Sequence, residues 1–286
     1  MTLQEQQSAS STFDSSHVEA PSIFATRVRR MLRWLGPALL VTVLVAVWQG
    51  VVVFFDIPAW KLPAPSAIAA ELVVSRALYL KHTWVTLMEV MLGFGAALAT
   101  GVLLATLIAY YRTLQRAVYP LVIASQTIPI IVIAPLLLIW VGYGIAPKII
   151  VVILIAFFPI TVNTVDGLRS VDTDMVNMMR TLGASRWQIF TKVQVPTAMP
   201  FLFSGTKIAV TFSVIGAVIG EWVGASAGLG YLTRISVPLF LTARSFGAVV
   251  LLAAMGIILF VSVALLERLL LPWYHTEQRQ RVLEQG

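Results

Sequence analysis

Residues of the types that perform chemistry are few in this sequence and widely separated. It contains no cysteine, so disulfides and thiolate chemistry are excluded. The three histidines, His17, His82 and His275, are far apart along the chain, and none lies in the middle of an apolar segment. Because a bound metal ion needs several ligands that converge on it, we expect neither a metal site nor a cofactor.

Catalytic and nucleotide-binding motifs are also missing. No G-x-x-x-x-G-K-[ST] segment occurs, so the chain has no phosphate-binding loop of its own. Gly228-Leu229-Gly230 is preceded by no strand pattern, which a dinucleotide-binding loop would require. A Ser-His-Asp triad needs groups that converge at one depth, and the apolar segments offer too few of them. We expect no enzymatic activity, and a membrane enzyme remains the second hypothesis.

A secondary carrier is the third hypothesis, since it would also be an apolar helical bundle. Such carriers place several ionisable groups near the middle of the membrane to couple ions to the solute. The apolar segments of this chain carry chiefly Glu89, Lys207 and Glu221, each near a predicted end. This distribution favours a pathway driven from outside the membrane over a proton relay.

The composition is that of a membrane protein. Hydrophobic residues make up 58% of the 286 residues and charged residues only 12%, whereas soluble domains carry roughly 25% charged residues. A net charge of +7 in so apolar a chain indicates basic flanks of membrane spans rather than nucleic-acid binding.

We predict an all-α polytopic membrane protein with six transmembrane helices. A disordered basic cytoplasmic tail at 1–34 precedes a six-span domain at 35–272, and a second cytoplasmic tail occupies 273–286. A surface amphipathic helix is expected within 56–84. The predicted spans are 35–55, 86–110, 118–141, 149–165, 201–223 and 246–271.

The basic residues predict the orientation of these spans. The side that holds both tails, the turn at 112–116 and the loop at 166–200 carries 13 Lys and Arg residues, and the other side carries 6. By the positive-inside rule the richer side is cytoplasmic. We therefore expect a multi-pass protein of the bacterial plasma membrane with both termini in the cytoplasm, and no nucleic-acid partner.

The loop at 166–200 is the one long polar segment between apolar spans. Asp172 is a predicted N-cap of one short amphipathic helix, and Gly183 supplies its left-handed stop. Ser185 is a predicted N-cap of a second helix, which we expect Pro196 to end. Helix, glycine turn and helix also occur in DNA-binding proteins and ordinary loops. The position of this segment between two membrane spans favours a functional loop.

The residues of this loop resemble those of a known protein family. Gly183, Val193, Val195 and Pro196 stand at the spacing of the "EAA" loop in permease subunits of binding-protein-dependent ABC importers. Asn177, Met178 and Met179 replace the acidic-Ala-Ala part of that motif, and the resemblance extends over 65–271. Gln126-Thr127-Ile128-Pro129 further resembles the taurine, sulfonate, nitrate and thiamine-pyrimidine branch.

The resemblance implies a type I importer fold, in which a permease dimer of two identical chains spans the lipid bilayer. It also implies cytoplasmic ATPase subunits and an extracytoplasmic solute-binding protein as partners. The solute would be an aromatic heterocycle, riboflavin or a thiamine pyrimidine, with taurine-, sulfonate- or nitrate-type anions as the alternative. The predicted ATPase-coupling residues are Met175, Met178, Arg180, Gly183, Ala184, Ser185, Trp187, Phe190 and Pro196.

Two further groups of residues lie within the predicted spans. Glu89, Gln126 and Pro129 are predicted to line the solute pathway, because Pro129 kinks the third span beside a polar side chain and charges avoid hydrocarbon. Gly216, Gly220 and Gly224 recur every four residues and form a smooth face for helix packing. Packing within one subunit and packing between subunits both remain open for this face.

Overall fold

The computed structural model describes residues 23–274. It contains eleven α-helices and, in that part of the chain, no β-strand. The helices are α1 Ile23–Phe54, α2 Pro65–Val74, α3 Arg76–Tyr110, α4 Arg112–Ser125, α5 Ile130–Val141, α6 Ala146–Arg169, α7 Thr173–Thr181, α8 Arg186–Ile189, α9 Val195–Gly224, α10 Leu229–Ser236 and α11 Thr242–Leu270. The all-α prediction is confirmed.

The chain divides into two units at Asp56, with α1 in the first and the other helices in the second. α1 begins at Ile23 rather than at the predicted residue 35, because no glycine or proline interrupts 23–34. The remainder of the predicted N-terminal tail, 1–22, lies outside the described residues, as does 275–286 of the predicted C-terminal tail.

Between residues 23 and 274, five helical segments are long and apolar enough to cross a membrane, and a sixth crossing results if α4 and α5 form one span. α3 is longer than predicted, since it begins at Arg76 and includes residues that were assigned to a surface helix. The sequence between Arg76 and Leu92 contains no helix breaker, so nothing separates the two predicted segments.

The predicted kink in the third span is a full break. α4 ends at Ser125, α5 begins at Ile130, and the two helices are bent by 99°. Pro129 has extended backbone, with ψ 112°, and it disfavours helical geometry at Ile128. The side chains of Ser125 and Thr127 donate hydrogen bonds to the carbonyls of Val122 and Ala124, at 2.7 and 2.8 Å. These bonds supply partners for carbonyl groups at the end of α4, where the helix backbone provides none.

The core of the second unit lies where α6 packs between α3 and α9. Small and β-branched residues meet there with no exposed surface, among them Val90, Ala97, Val152, Ala156 and Ala209. In the most apolar 18-residue stretch of α11 only 11% is buried, whereas 44% of the corresponding stretch of α6 is buried. The outward faces of the peripheral helices are therefore apolar and uncovered, as expected for a protein embedded in lipid.

The glycines of α9 lie against other helices of the same chain. A Cβ atom on Gly216 would lie 3.1 Å from the Cα atom of Val152, and one on Gly220 would lie 3.0 Å from the Cα atom of Lys148. A Cβ atom on Gly224 would lie 2.7 Å from the side chain of Leu138. The smooth face therefore brings α9 close to α6 and α5 within one subunit.

Candidate functional site

The loop between α6 and α9 is held in shape by local hydrogen bonds. The Asp172 carboxylate accepts a hydrogen bond from the backbone N–H of Asp174 at 2.8 Å and caps α7. Gly183 has φ +77°, a left-handed conformation that turns the chain after α7. Ser185 and Gln188 form a reciprocal capping box that starts α8. The two N-caps and the left-handed glycine were predicted from the sequence, whereas the return bond from Gln188 was not.

The corner formed by α7 and α8 presents apolar side chains to the surroundings. No residue of α7 is buried, and Met175, Met178, Leu182 and Trp187 are 47%, 55%, 75% and 63% exposed. Asp172, Asp174, Arg180, Ser185 and Arg186 are exposed on the same loop, and Ala184 is half-buried. Charged groups at this density do not face hydrocarbon, so the apolar patch is suited to a protein partner.

Phe190 is one of the predicted ATPase-coupling residues, but the structure corrects its placement, because its side chain is not exposed at this corner. The side chain is only 6% exposed and packs in a cluster with Leu168 and Ala198. Its ring stacks on Trp187 at 5.7 Å and meets the edge of Tyr110 at 6.0 Å between centroids. Phe190 thus holds the corner against the ends of the long helices instead of contacting a partner.

Pro196 does not end the second loop helix, contrary to the prediction. α8 continues through a π-helical turn, Phe190–Gln194, directly into α9, and the whole helical segment Arg186–Gly224 is 39 residues long. Proline is tolerated at this point because Pro196 directly follows the π-helical turn, where the regular i→i−4 hydrogen-bond ladder is already interrupted. α8 is therefore joined to α9 by continuous helix, with no loop between them.

Gln126 lies at the break between α4 and α5 and lines a cavity of about 370 Å³. We call this the amide cavity, because Gln126 and Asn163 contribute its two amide groups. Ser125, Phe158 and Phe212 also line it, and of the described residues that form its wall none is charged. Pro129 lies at the same break and is exposed, but it is not part of this wall.

Glu89 is not close to Gln126 but lines a different cavity, of about 730 Å³. We call this the carboxylate cavity. It lies between α3, the start of α6 and the corner between α9 and α10, and its charged lining residues are Glu89, Lys148 and Arg234. The Glu89 carboxylate accepts a hydrogen bond from the Lys148 ammonium at 2.6 Å, and the two side chains are 1% and 10% exposed.

The carboxylate of Glu221 organises the corner beside this cavity. It accepts hydrogen bonds from the Thr86 hydroxyl at 2.6 Å and from the backbone N–H groups of Gly230 and Tyr231. The Gly228 N–H donates to Nδ1 of His82 at 2.9 Å. α3 and α9 are thereby tied to the start of α10 by a buried polar network, in which the Glu221 carboxyl group faces backbone N–H groups of the first turn of α10.

Lys148, Thr86 and Arg234 were not singled out from the sequence. One signal was present: His82, Thr86 and Glu89 stand at i, i+4 and i+7, which places three polar groups on one face of an apolar helix. The position of Lys148 just after a proline-containing turn gave no indication that its side chain returns to α3. That contact depends on how α6 packs.

Comparison with known proteins identifies the chain. Residues 97–275 match the family model described as binding-protein-dependent transport system inner membrane component, and this match covers more than half of the 286 residues. The chain belongs to this family of transport permeases. Alignments of the permease with two relatives cover nearly the whole length of each relative. The family resemblance predicted from the loop at 166–200 and from the branch motif is therefore confirmed.

The formylaminopyrimidine transport permease protein ThiX of Halalkalibacterium halodurans is 38% identical over 247 residues, covering 86% of this permease and 98% of the relative. The riboflavin transport system permease protein RibX of Chloroflexus aurantiacus is 38% identical over 253 residues, covering 86% and 94%. A putative aliphatic sulfonates transport permease protein, SsuC of Bacillus subtilis, is 29% identical over 248 residues, covering 86% and 90%.

A solved structure supports the fold. The inward-facing MetNI methionine ABC transporter contains a chain that superimposes with a TM-score of 0.60 at 22% identity, covering 68% of the permease and 96% of that chain. At this identity the likeness shows the fold alone. The prediction of a multi-span, all-α ABC permease is confirmed, and the relatives are named as transport permeases.

Proposed function

We propose that this permease forms the membrane pathway for a small aromatic heterocycle and is driven by separate cytoplasmic ATPase subunits. In the working complex a permease dimer, formed by two copies of this chain, receives solute from an extracytoplasmic binding protein. The observation that carries the proposal is the exposed apolar corner of α7 and α8, which is continuous with α9 over the helical segment Arg186–Gly224.

The corner has the properties of a partner-binding helix pair. Met175, Met178 and Trp187 are exposed anchors on short helices, and such anchors fit an apolar groove of another protein. A Cβ atom on Gly183 would have no heavy atom within 4 Å, so the turn leaves open space for a partner backbone. The chain has no phosphate-binding loop of its own, which is why ATP hydrolysis is assigned to a partner.

The two cavities lie along the same helices and support a pathway. Both cavities are lined by residues of α6 and α9. Lys148 of α6 and Val223 of α9 line the carboxylate cavity, and Ile155 of α6 and Ile208 of α9 line the amide cavity. At a rise of about 1.5 Å per residue, these positions follow one another along α6 and α9 towards the α7–α8 corner. A solute that moved along this line would pass from charged walls to neutral polar walls.

A heterocyclic solute is favoured by two observations. Two of the relatives at 38% identity carry names that refer to a formylaminopyrimidine and to riboflavin, whereas the sulfonate relative is 29% identical. The amide cavity joins aromatic and amide side chains with no fixed charge in its described wall, and this suits an uncharged planar ring better than a sulfonate. Taurine-, sulfonate- or nitrate-type anions remain the alternative.

Uptake measurements test the proposal. Cells that lack this permease should lose high-affinity uptake of radiolabelled riboflavin or of the formylaminopyrimidine, and a plasmid copy should restore it. Uptake of taurine should not change. The tagged permease should co-purify with an ATPase subunit and a solute-binding protein. Loss of taurine uptake alone would favour the anion alternative, and unchanged uptake of all three solutes would contradict the proposed function.

We propose that the α7–α8 corner and both termini face the cytoplasm of a bacterium, with the α9–α10 corner on the outside. Single cysteines at Ser170 and Ser226, both exposed and near opposite ends of α9, test this orientation in a chain that has no native cysteine. In intact cells an impermeant maleimide should label Ser226→Cys and should label Ser170→Cys only after lysis. Equal labelling of both before lysis would contradict the topology.

A further inference from the structure

The amide cavity lies near the middle of two membrane spans. Phe158 is close to the midpoint of α6, and Ile208 and Phe212 are close to the midpoint of α9. The break between α4 and α5, where the helices are bent by 99°, contributes another part of the same wall. At this depth a broken helix and polar side chains face protein or a water-filled space rather than lipid. The cavity therefore belongs to a polar interior and not to the lipid-facing surface.

Two amide side chains of this wall have hydrogen-bonding groups that the protein does not use. The Gln126 side chain is exposed, and its amide makes no hydrogen bond to any residue between 23 and 274. Nδ2 of Asn163 donates to the carbonyl of Pro159 at 2.7 Å, which leaves one N–H and the acceptor Oδ1 without a partner in the described part of the chain. An amide presents N–H donors and an acceptor oxygen side by side. Both side chains can therefore pair with a solute that carries a donor next to an acceptor.

The rest of the wall favours a neutral, flat solute. None of the described residues that form it is charged, so a solute with a fixed charge would have no counter-ion there. Phe158 and Phe212 supply aromatic surface, and the Phe212 side chain is 43% exposed. Aromatic rings pair favourably with one another in offset-stacked or edge-to-face arrangements. A planar heterocycle without a net charge meets both conditions.

The volume of the amide cavity suits a single ring better than a fused ring system. At about 370 Å³ it lies at the lower end of the range for small-molecule sites, roughly 300–1,000 Å³. Because a water molecule occupies about 30 Å³, this is the space of roughly a dozen waters. A pyrimidine ring with small substituents fits into such a space. The fused rings and the long side chain of riboflavin would extend beyond it.

We propose that the amide cavity is a solute-binding site for a neutral, single-ring aminopyrimidine. The amino N–H of the solute donates to the side-chain oxygen of Gln126, and the adjacent ring nitrogen accepts from the NH₂ group of the same side chain. This is the pairing by which a glutamine amide recognises the amino edge of adenine. The unused groups of Asn163 are available to a ring substituent. The assignment rests on the proposed transport of a heterocycle and narrows its class.

Gln126→Met tests the role of this amide. Methionine keeps an unbranched side chain of similar length but can neither donate nor accept the paired hydrogen bonds. Because Gln126 is exposed, the substitution leaves no buried group unpaired. Thr127→Val is the matched control, since Thr127 lies at the same break, is exposed and bonds only to the carbonyl of Ala124, but does not line the cavity.

Binding is measured by equilibrium dialysis on the permease–ATPase complex in lipid nanodiscs, without the solute-binding protein. The probes are 4-aminopyrimidine and 4-(dimethylamino)pyrimidine, which has no N–H group, together with riboflavin and taurine. We expect the wild-type complex to bind 4-aminopyrimidine about tenfold more tightly than its dimethyl analogue, because the analogue leaves the amide oxygen unpaired. Gln126→Met should weaken 4-aminopyrimidine binding about tenfold and bind the two pyrimidines equally, and Thr127→Val should stay within about twofold of wild type.

Several results would overturn the assignment. They are equal binding of the two pyrimidines by the wild type, unchanged binding in Gln126→Met, and an equal loss in Gln126→Met and Thr127→Val. Tighter binding of riboflavin than of 4-aminopyrimidine would contradict the single-ring class. Taurine binding that Gln126→Met abolishes would show an anion site instead.

Phe212→Leu is the second variant, because leucine keeps the side chain apolar but removes the flat ring. We expect it to weaken 4-aminopyrimidine binding about threefold or more, and unchanged binding would also overturn the proposal. Uptake by wild-type cells separates the two levels of inference. If these cells import no heterocycle, the proposed function fails. If they import one and both Gln126→Met and Phe212→Leu bind 4-aminopyrimidine as the wild type does, only the assignment of the amide cavity fails.

Discussion

Gly183→Glu is expected to reduce transport by more than tenfold while the permease still inserts and forms its dimer. The substitution places a long charged side chain at the exposed turn between α7 and α8, where a Cβ atom would have no heavy atom of this chain within 4 Å. The folded subunit therefore has room for the side chain, but a docked ATPase would be held away from the corner. Force would then not reach α9 through Arg186–Gly224.

Backbone strain has to be separated from the effect of the side chain. Gly183 has φ +77°, and a residue with a Cβ atom in this conformation is destabilised by roughly 1–2 kcal/mol. Gly183→Asn is the matched control, because asparagine tolerates left-handed backbone and is short and uncharged. We expect the asparagine variant to retain most transport and ATPase binding.

Co-purification of the ATPase with tagged permease, together with uptake, measures this effect. Loss of the ATPase from a stable Gly183→Glu dimer would support coupling through the α7–α8 corner. A glutamate variant that binds the ATPase and transports normally would show that the corner is not the coupling element. Disappearance of the subunit itself would show that the corner instead stabilises the bundle, which also contradicts the proposal.

Gly205→Val is expected to prevent the permease from folding stably. A Cβ atom at this position would lie 2.5 Å from the carbonyl oxygen of Pro159 and 2.9 Å from the Cβ atom of Asn163. The first of these atoms is backbone in the middle of α6, so no side-chain rotation relieves the overlap. α6 and α9 would have to move apart along the main contact of the core, and overpacking of this kind costs about 1–3 kcal/mol, occasionally more.

Gly95→Val is the matched control for this prediction. Gly95 is also a glycine in the interior of a long helix, α3, but a Cβ atom there would have no heavy atom within 4 Å. We expect normal membrane levels and thermal unfolding for Gly95→Val, and low levels with a reduced Tm for Gly205→Val. Equal stability of the two variants would show that α6 and α9 do not pack as closely as described.

The sequence predicted the features that depend on residues close together along the chain. The N-caps Asp172 and Ser185 accept hydrogen bonds from groups two and three residues away, and Gly183 terminates α7 by its own backbone conformation. Long apolar segments likewise indicate helices that cross a membrane, because the backbone N–H and C=O groups of a helix are hydrogen-bonded within the same segment. These local rules were sufficient to locate the long apolar helices and the turn between α7 and α8.

Residues that are distant in sequence required the tertiary structure. Phe190 and Trp187 lie three positions apart and have similar side chains, yet only Phe190 is buried, because Leu168 and Ala198 pack over it. Pro196 was expected to stop a helix, but it follows a π-helical turn that leads directly into α9, so the helix continues through it. In both positions the surrounding helices decided between outcomes that the residue types alone allowed.

The polar groups beside the carboxylate cavity show the same division most clearly. The sequence alone determined that Glu89 and Glu221 lie in apolar helices, where an unpaired charge is unfavourable. Only the packing of α3, α6, α9 and α10 determined their partners: Lys148 for Glu89, 59 residues away, and Thr86 for Glu221, 135 residues away. Burial dictates that such groups find partners, but the partners are chosen by helix contacts that no local pattern encodes.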